Sequence, residues 1–131
     1  MKIGLVTTNE RGWCSTRLRE AMKNRGVTPV CFSLPQVVAR VGYGPEASSG
    51  GVNLLGDLAA LIVRPIGRGS LEEVILRMDV LHRLQRLGMP IVNPPSAIER
   101  SVDKYYALAL LEERGLPVPR TAATEDPAAA L

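Results

Sequence analysis

The strongest constraint on this chain is an alternation of short apolar runs with longer stretches of helical periodicity, beginning at its second residue. Lys2 to Thr7 carries Ile3, Leu5 and Val6 in a near-continuous apolar run, the pattern of a strand covered on both faces. A first strand of this kind is expected at the centre of a sheet. Ser15 or Thr16 is placed to cap a following helix with Leu18, Ala21 and Met22 on its apolar face, and Gly26 supplies a left-handed stop. Val27 to Phe32 reads as a second strand. The strand, helix, strand order favours parallel pairing through a right-handed crossover.

From Ser33 to Asp57 the pattern loosens. Gly42, Gly44, Pro45, Gly50 and Gly51 separate two apolar pieces, Val37 to Val41 and Val52 to Leu55, which predicts a loose hairpin or a flexible excursion. Leu58 to Val63 is again wholly apolar in its core and reads as a third strand. Ser70 and Glu73 have the spacing of a capping box for a long helix with the face Leu71, Val74, Ile75, Met78, Leu81 and Leu84, ended by Gly88 and Pro90. Ile91 and Val92 form a fourth short strand, and Asn93, Pro94 and Pro95 turn the backbone out of the sheet. Ser96 and Glu99 repeat the capping-box spacing for a short helix through Arg100. A further helix runs from about Asp103 to Arg114 and closes at Gly115. The fold class is therefore α/β, a Rossmann-like doubly wound, mainly parallel open sheet.

At the far end Asp126 is a good N-cap and Pro127 suits the first helical position, so Ala128 to Leu131 opens an alanine-rich helix. One isolated turn carries the nucleation cost without a packing partner, so it is either a frayed tail or the opening of a further domain. The terminal pattern favours the second reading, with residues 1–118 as one domain and 119–131 as linker and start of the next.

Composition narrows the class. With 46% hydrophobic and 22% charged residues the chain is globular, and a disordered or collagenous chain is excluded. Its 16 basic and 13 acidic residues are interleaved, so the net charge of +3 forms no basic stripe for nucleic acid. The short apolar start is neither a membrane span nor a signal peptide. Cys14 and Cys31 belong to no metal-ligand spacing and suit a reducing cytoplasm.

Ligands of open parallel sheets bind at the loops that follow the strands, here Thr7 to Cys14, Arg64 to Ser70 and Asn93 to Ser96. The loop Arg64-Pro65-Ile66-Gly67-Arg68-Gly69-Ser70 has two readings: backbone N–H groups and two guanidiniums that meet a carboxylate or phosphate, or a tight turn with solvated arginines. A dinucleotide fingerprint is disfavoured because its third glycine would fall at Glu72. Lys104, in the first turn of its helix, is either an anion contact or a solvated lysine. Tyr105 and Tyr106 are expected to pack partly into an adjoining interface, and His82, the single histidine, to sit half-exposed on its helix. No catalytic triad and no carboxylate cluster for magnesium can be assembled.

Leu61 to Glu72, then Met78 to His82, Ile98 to Tyr106 and Leu110 to Thr121 resemble the RimK-like α-L-glutamate ligases, over nearly the whole chain. The similarity extends to members that modify ribosomal proteins and to those that act on tetrahydromethanopterin. It implies a pre-ATP-grasp domain of an enzyme that activates a carboxylate as an acyl phosphate, which the amine of L-glutamate then attacks. ATP and Mg2+ are the implied cofactors of the full-length parent. Lys104, beside Asp103, matches the position whose lysine approaches the ATP phosphates; Arg64, Gly67 and Arg68 match the loop that faces substrate. The family's glycine-rich loop, central lysine and magnesium ligands have no counterpart before Leu131, so no tightly bound cofactor and no catalysis are expected of this chain alone. A ribosomal protein tail, a pterin or deazaflavin cofactor, or a carrier protein is the acceptor that the resemblance allows. The alternative is a stand-alone ligand-binding or interaction module of the same fold. Tyr105, Leu108, Leu116 and Val118 are expected to stay partly exposed and to drive homo-oligomer formation.

Overall fold

The computed structural model describes residues 1–130. They fall into two compact units, the first spanning Met1–Pro95 and the second beginning at Ser96.

The first unit is built on a four-stranded parallel sheet of β1 (Lys2–Val6), β2 (Thr28–Phe32), β6 (Ala60–Val63) and β7 (Ile91–Val92), in the order β2-β1-β6-β7. Strand β1 lies inside the sheet, as its apolar run predicts: Leu5 is opposite Cys31 on one side and Ile62 on the other. Leu5, Val6, Leu61 and Val63 are completely buried. Gly4 fits here because a Cβ would lie 2.5 Å from the Leu61 side chain and 2.9 Å from that of Leu58. Helix α1 (Trp13–Lys23) connects β1 to β2, and α3 (Leu71–Arg86) connects β6 to β7. The fold is α/β with a mainly parallel sheet.

The loose segment is better organised than its composition suggests. After a 3-10 turn at Leu34–Gln36, β3 (Val38–Ala39), β4 (Ala47–Ser49) and β5 (Val52–Asn53) form a separate three-stranded antiparallel sheet, followed by α2 (Leu54–Asp57). The Asn53 side chain caps α2 by accepting from Leu55 and Gly56 N–H groups, both at 3.1 Å. Leu54 supplies the buried anchor, whereas Val38 and Val41 are exposed. The guanidinium of Arg83 on α3 donates to the Arg40 carbonyl and ties this small sheet to the long helix.

Two expected helix starts shift. Helix α1 begins at Trp13 with Gly12 at the N-cap, so Ser15 lies inside the first turn, where its hydroxyl is held by Thr7 at 2.7 Å and does not cap. Helix α4 (Pro95–Val102) begins with proline in its first position, which places Ser96 inside the turn as well. The other ends fall where expected. Ser70 and Glu73 close a reciprocal capping box on α3, and α5 (Lys104–Glu113) is capped by Asp103, whose carboxylate accepts from the Tyr106 N–H at 2.9 Å. Helices α1, α3 and α5 all finish in the same hydrogen-bonded reversal, with Gly26, Gly88 and Gly115 at positive φ.

The buried face of α3 also differs from expectation. Arg77, Val80, Leu81 and Leu84 form the inward stripe, with Met78 beside it, while Leu71 is 72% exposed and Ile75 also faces solvent. Met78, Leu81 and Leu84 of the expected face are buried as predicted, and the buried stripe turns toward Arg77 and Val80 at the expense of Leu71 and Ile75.

In the second unit, α4 and α5 are followed by an extended segment and a 3-10 turn at Pro127–Ala130, where the Asp126 carboxylate accepts from the Ala128 N–H at 3.0 Å. Leu131, the last residue of the expected terminal helix, lies outside the described residues. Tyr105, Tyr106 and Leu116 are exposed, and Leu108 and Val118 are half-buried. Tyr105, Leu108, Leu116 and Val118 are thus left partly exposed, as expected. Among the described residues, no helix is long and apolar enough to cross a membrane.

Leu81→Ala removes a completely buried side chain from the inward stripe and should lower unfolding free energy by about 3 kcal/mol in urea titration. Leu71→Ala should stay within about 0.5 kcal/mol of the parent, and the reverse ranking would overturn this assignment of the helix face.

Candidate functional site

The strand order reverses between β1 and β6, so the chain leaves their carboxyl ends in diverging directions and opens a crevice there. The β1 exit is held by its own polar groups. The buried Thr7 accepts from the Asn9 N–H at 3.1 Å, and Asn9 in turn accepts from the N–H groups of Arg11 and Gly12. This leads the backbone tightly into α1.

The β6 exit carries Arg64, Gly67 and Arg68 in one loop. Arg64 stays attached to the sheet through its N–H, which donates to the Val6 carbonyl at 3.4 Å. The loop is gripped from below by Arg77, a residue the sequence reading did not single out. Arg77 is 6% exposed, and its guanidinium donates to the carbonyls of Ile66 at 3.3 Å and Arg68 at 2.9 Å. It also lies 3.9 Å from Glu73, whose carboxylate accepts from the Ser70 N–H at 2.8 Å. Both glycines make room for this: Gly67 has φ +83, and a Cβ on Gly69 would lie 2.7 Å from Glu73 and 2.8 Å from Arg77.

The amino end of α3 is thus satisfied internally and offers little to an external anion. Glu73 occupies the Ser70 N–H, and the Glu72 backbone N–H followed by the Ser70 hydroxyl holds the Glu72 carboxylate below its ordinary pKa. The cations remain. The side chains of Arg64 and Arg68 are exposed and, among the described residues, make no hydrogen bond or ion pair within the chain. The glycines answer to the turn, and the exposed arginines are what both readings of the loop predict.

Beside Arg64 lies a cleft of about 330 Å3 lined by Trp13, Arg17 and Leu18 of α1, Ile62 of β6 and Val92 of β7. Trp13 is 75% exposed and Val92 60%. Arg17 pairs with Glu20 on its own helix at 3.0 Å, and Asn93 donates from its side-chain amide to the Val63 carbonyl at 3.3 Å, closing the end of the strand. Trp13 was not anticipated as a site residue. A lone tryptophan directly before a helix, among polar neighbours and off the apolar stripe, was the signal available in the sequence.

Lys104 belongs to the second unit, as the exposed first residue of α5 directly after the capping Asp103. Among the described residues no three His, Cys, Asp or Glu side chains converge as metal ligands. Burial, and secondarily Glu10, raises the Cys31 thiol above its usual pKa, which opposes a thiolate nucleophile at that position.

No protein-family model matches the chain. It is 39% identical to the tetrahydromethanopterin:α-L-glutamate ligase of Methanosarcina acetivorans over 99% of its own length and 41% of that protein. It also shares 29% identity with the enzyme of the same name from Methanococcus maripaludis, spanning 41% of it. The chain therefore covers well under half of the curated relatives it matches. In fold it is similar to the macrocyclase MdnB of Microcystis aeruginosa, with TM-score 0.69 and 21% identity over 99% of this chain and 56% of that one. A RimK domain ATP-grasp protein of Sphaerobacter thermophilus gives TM-score 0.62 and 22% identity over 92% of this chain and 40% of that one.

Arg77→Met keeps the bulk of the side chain but removes both carbonyl contacts. It should cost about 2 kcal/mol of stability and speed amide hydrogen exchange across residues 66–70 more than elsewhere. Unchanged exchange in that loop would show that Arg77 does not hold it.

Proposed function

We propose, from the premise that the chain is a relative of the RimK-like ATP-grasp α-L-glutamate ligases, that it is the N-terminal, Rossmann-like pre-ATP-grasp segment of an ATP-dependent carboxylate–amine ligase. In this reading residues 1–118 form that segment and 119–131 are the link onward, in a cytoplasmic protein. The parent forms an acyl phosphate on an acceptor carboxylate, and the amine of L-glutamate displaces phosphate to make an amide. The acceptor is a protein tail or a small cofactor.

The observation that carries the reading is the pair of unpartnered guanidiniums, Arg64 and Arg68, on a loop fixed by Arg77 at the carboxyl edge of the sheet. Every participant in such a reaction is a carboxylate or a phosphate, and a guanidinium pairs with either through charge-assisted hydrogen bonds. The loop's role is to bind and orient; Gly67 and Gly69 let it pass close to Arg77, and Arg64 and Arg68 present the charge. Lys104, in the second unit, is read separately, from the resemblance alone, as a cation for the nucleotide phosphates. ATP supplies the phosphoryl group, and the described residues contain no ligand set for its magnesium. No step of phosphoryl transfer is therefore assigned to them.

The reading is tested on the full-length parent protein by following ADP release with ATP, Mg2+, L-glutamate and candidate acceptors. Release that depends on both glutamate and an acceptor supports it; release indifferent to glutamate overturns it. Lys104→Ala in the same protein should weaken apparent ATP affinity at least about tenfold, the loss of one charge-assisted hydrogen bond of about 1.5 to 3 kcal/mol. Its melting temperature should barely move, because Lys104 is exposed and Asp103 keeps the helix cap. Equal ATP affinity in mutant and parent would withdraw the ATP-contact reading of Lys104.

A further inference from the structure

We infer that the groove between α3 and the 3-10 turn leading into β3 is a subsite for a small, uncharged carboxamide, which accepts from Arg77, donates to Glu73 and thereby steadies the loop carrying Arg64 and Arg68. The site is independent of the ligase reading and does not draw on it.

Arg77 has more donors than the loop uses. A guanidinium carries five N–H groups in one plane. Nη1 serves the carbonyls of Ile66 and Arg68. The Nε donor and those of Nη2 make no hydrogen bond among the described residues, for the Glu73 carboxylate stands 3.9 Å from Nη2, beyond hydrogen-bond reach. Unmatched donors are costly in a residue only 6% exposed. Among the described residues no side-chain nitrogen shut off from solvent lacks a partner, so these donors reach an opening. The groove of about 190 Å3 that Arg77 helps to line provides one.

The rest of the groove selects the acceptor. Leu34, Val37, Leu76 and Val80 give it apolar walls, and Glu73 lines it beside Arg77. Glu73 Oε2 already accepts from the Ser70 N–H, whereas Oε1 makes no hydrogen bond among the described residues. With a cation and an anion side by side, a carboxylate ligand is repelled by Glu73 and an amine by Arg77. A carboxamide matches both, its carbonyl on the guanidinium edge and its N–H on Oε1. An apolar cavity of about 150 Å3 takes a benzene, so this groove has room for a branched aliphatic body with its amide. Because the same guanidinium grips the loop through Nη1, an occupant that holds its other edge also restrains the carbonyls of Ile66 and Arg68.

The 131-residue chain, isotope-labelled, is titrated with 3-methylbutanamide and with two compounds of the same shape while its backbone amide resonances are followed. These are 3-methylbutanoate, which carries a charge, and 4-methylpentan-2-one, which lacks the N–H. The amide should give saturable shifts at about millimolar concentration, as suits a ligand of about seven heavy atoms, largest at Val37, Leu76 and Val80. The other two should bind at least about tenfold more weakly. Hydrogen exchange across residues 66–70 should slow when the amide is present. Glu73→Gln keeps the capping box, which glutamine also closes, and should reverse the preference so that 3-methylbutanoate binds more tightly than 3-methylbutanamide. Carboxylate binding as tight as that of the amide in the parent, shifts centred away from the groove, or no saturable shift at about ten times the expected concentration overturns the inference. Saturable binding with unaltered exchange in the loop overturns the steadying of the loop. The comparison of the three compounds on the parent chain decides the site even where the variant fails to fold.

Discussion

Strand β1 is hydrogen-bonded along both edges, to β2 on one side and β6 on the other, and each later element is positioned by that double pairing. A strand enclosed in this way can place only apolar or very small residues between its neighbours. Gly4 is the tightest point: the side chains of Leu58, Leu61 and Phe32 close over the space a Cβ would fill. With β1 pinned, β6 must lie beside it in register, and the reversal of strand order follows. The loop after β6 is thereby delivered to the same edge as the loop after β1.

The site depends on a second constraint layered on the first. A loop that follows a strand and must turn at once into a helix exposes carbonyls that nothing in the sheet satisfies. Arg77 supplies the missing donors from the first turns of α3, and Glu73 supplies the missing acceptor for Ser70. Because these partners lie within the chain, the loop keeps its form without a ligand, and the side chains of Arg64 and Arg68 remain free for one. The buried arginine is costly to desolvate and is stabilised by the carbonyls and the carboxylate that surround it.

Much of this was legible in the residues. The apolar runs at Lys2 to Thr7 and Leu58 to Val63, the capping pair Ser70 and Glu73, and the glycine stops at 26, 88 and 115 each report a local requirement that one or two side chains satisfy. What the sequence concealed were contacts between distant positions. Met78, Leu81 and Leu84 of the expected α3 face are buried, but Leu71 and Ile75 are not, and Arg77 was missed because it looks like a surface residue until the carbonyls of 66 and 68 are placed next to it. Ser15 looked like a cap until Thr7 was brought within 2.7 Å of it. The small antiparallel sheet was hidden because strands of two or three residues are too short to show alternation. For the candidate site, Arg64, Gly67 and Arg68 were proposed from the loop's position after a strand, while Trp13 was passed over because most of the cleft beside it comes from β6 and β7.

The space a Cβ on Gly69 would need is taken by Glu73 and Arg77, so these three positions constrain one another. A larger residue at Gly69 would push against both the Glu73 carboxylate and the buried guanidinium, and losing Arg77 alone would leave the 2.7 Å approach to Glu73 in place. Substitutions at these positions should therefore travel together through descent, and a loop transplanted between relatives should carry the first turns of its helix with it.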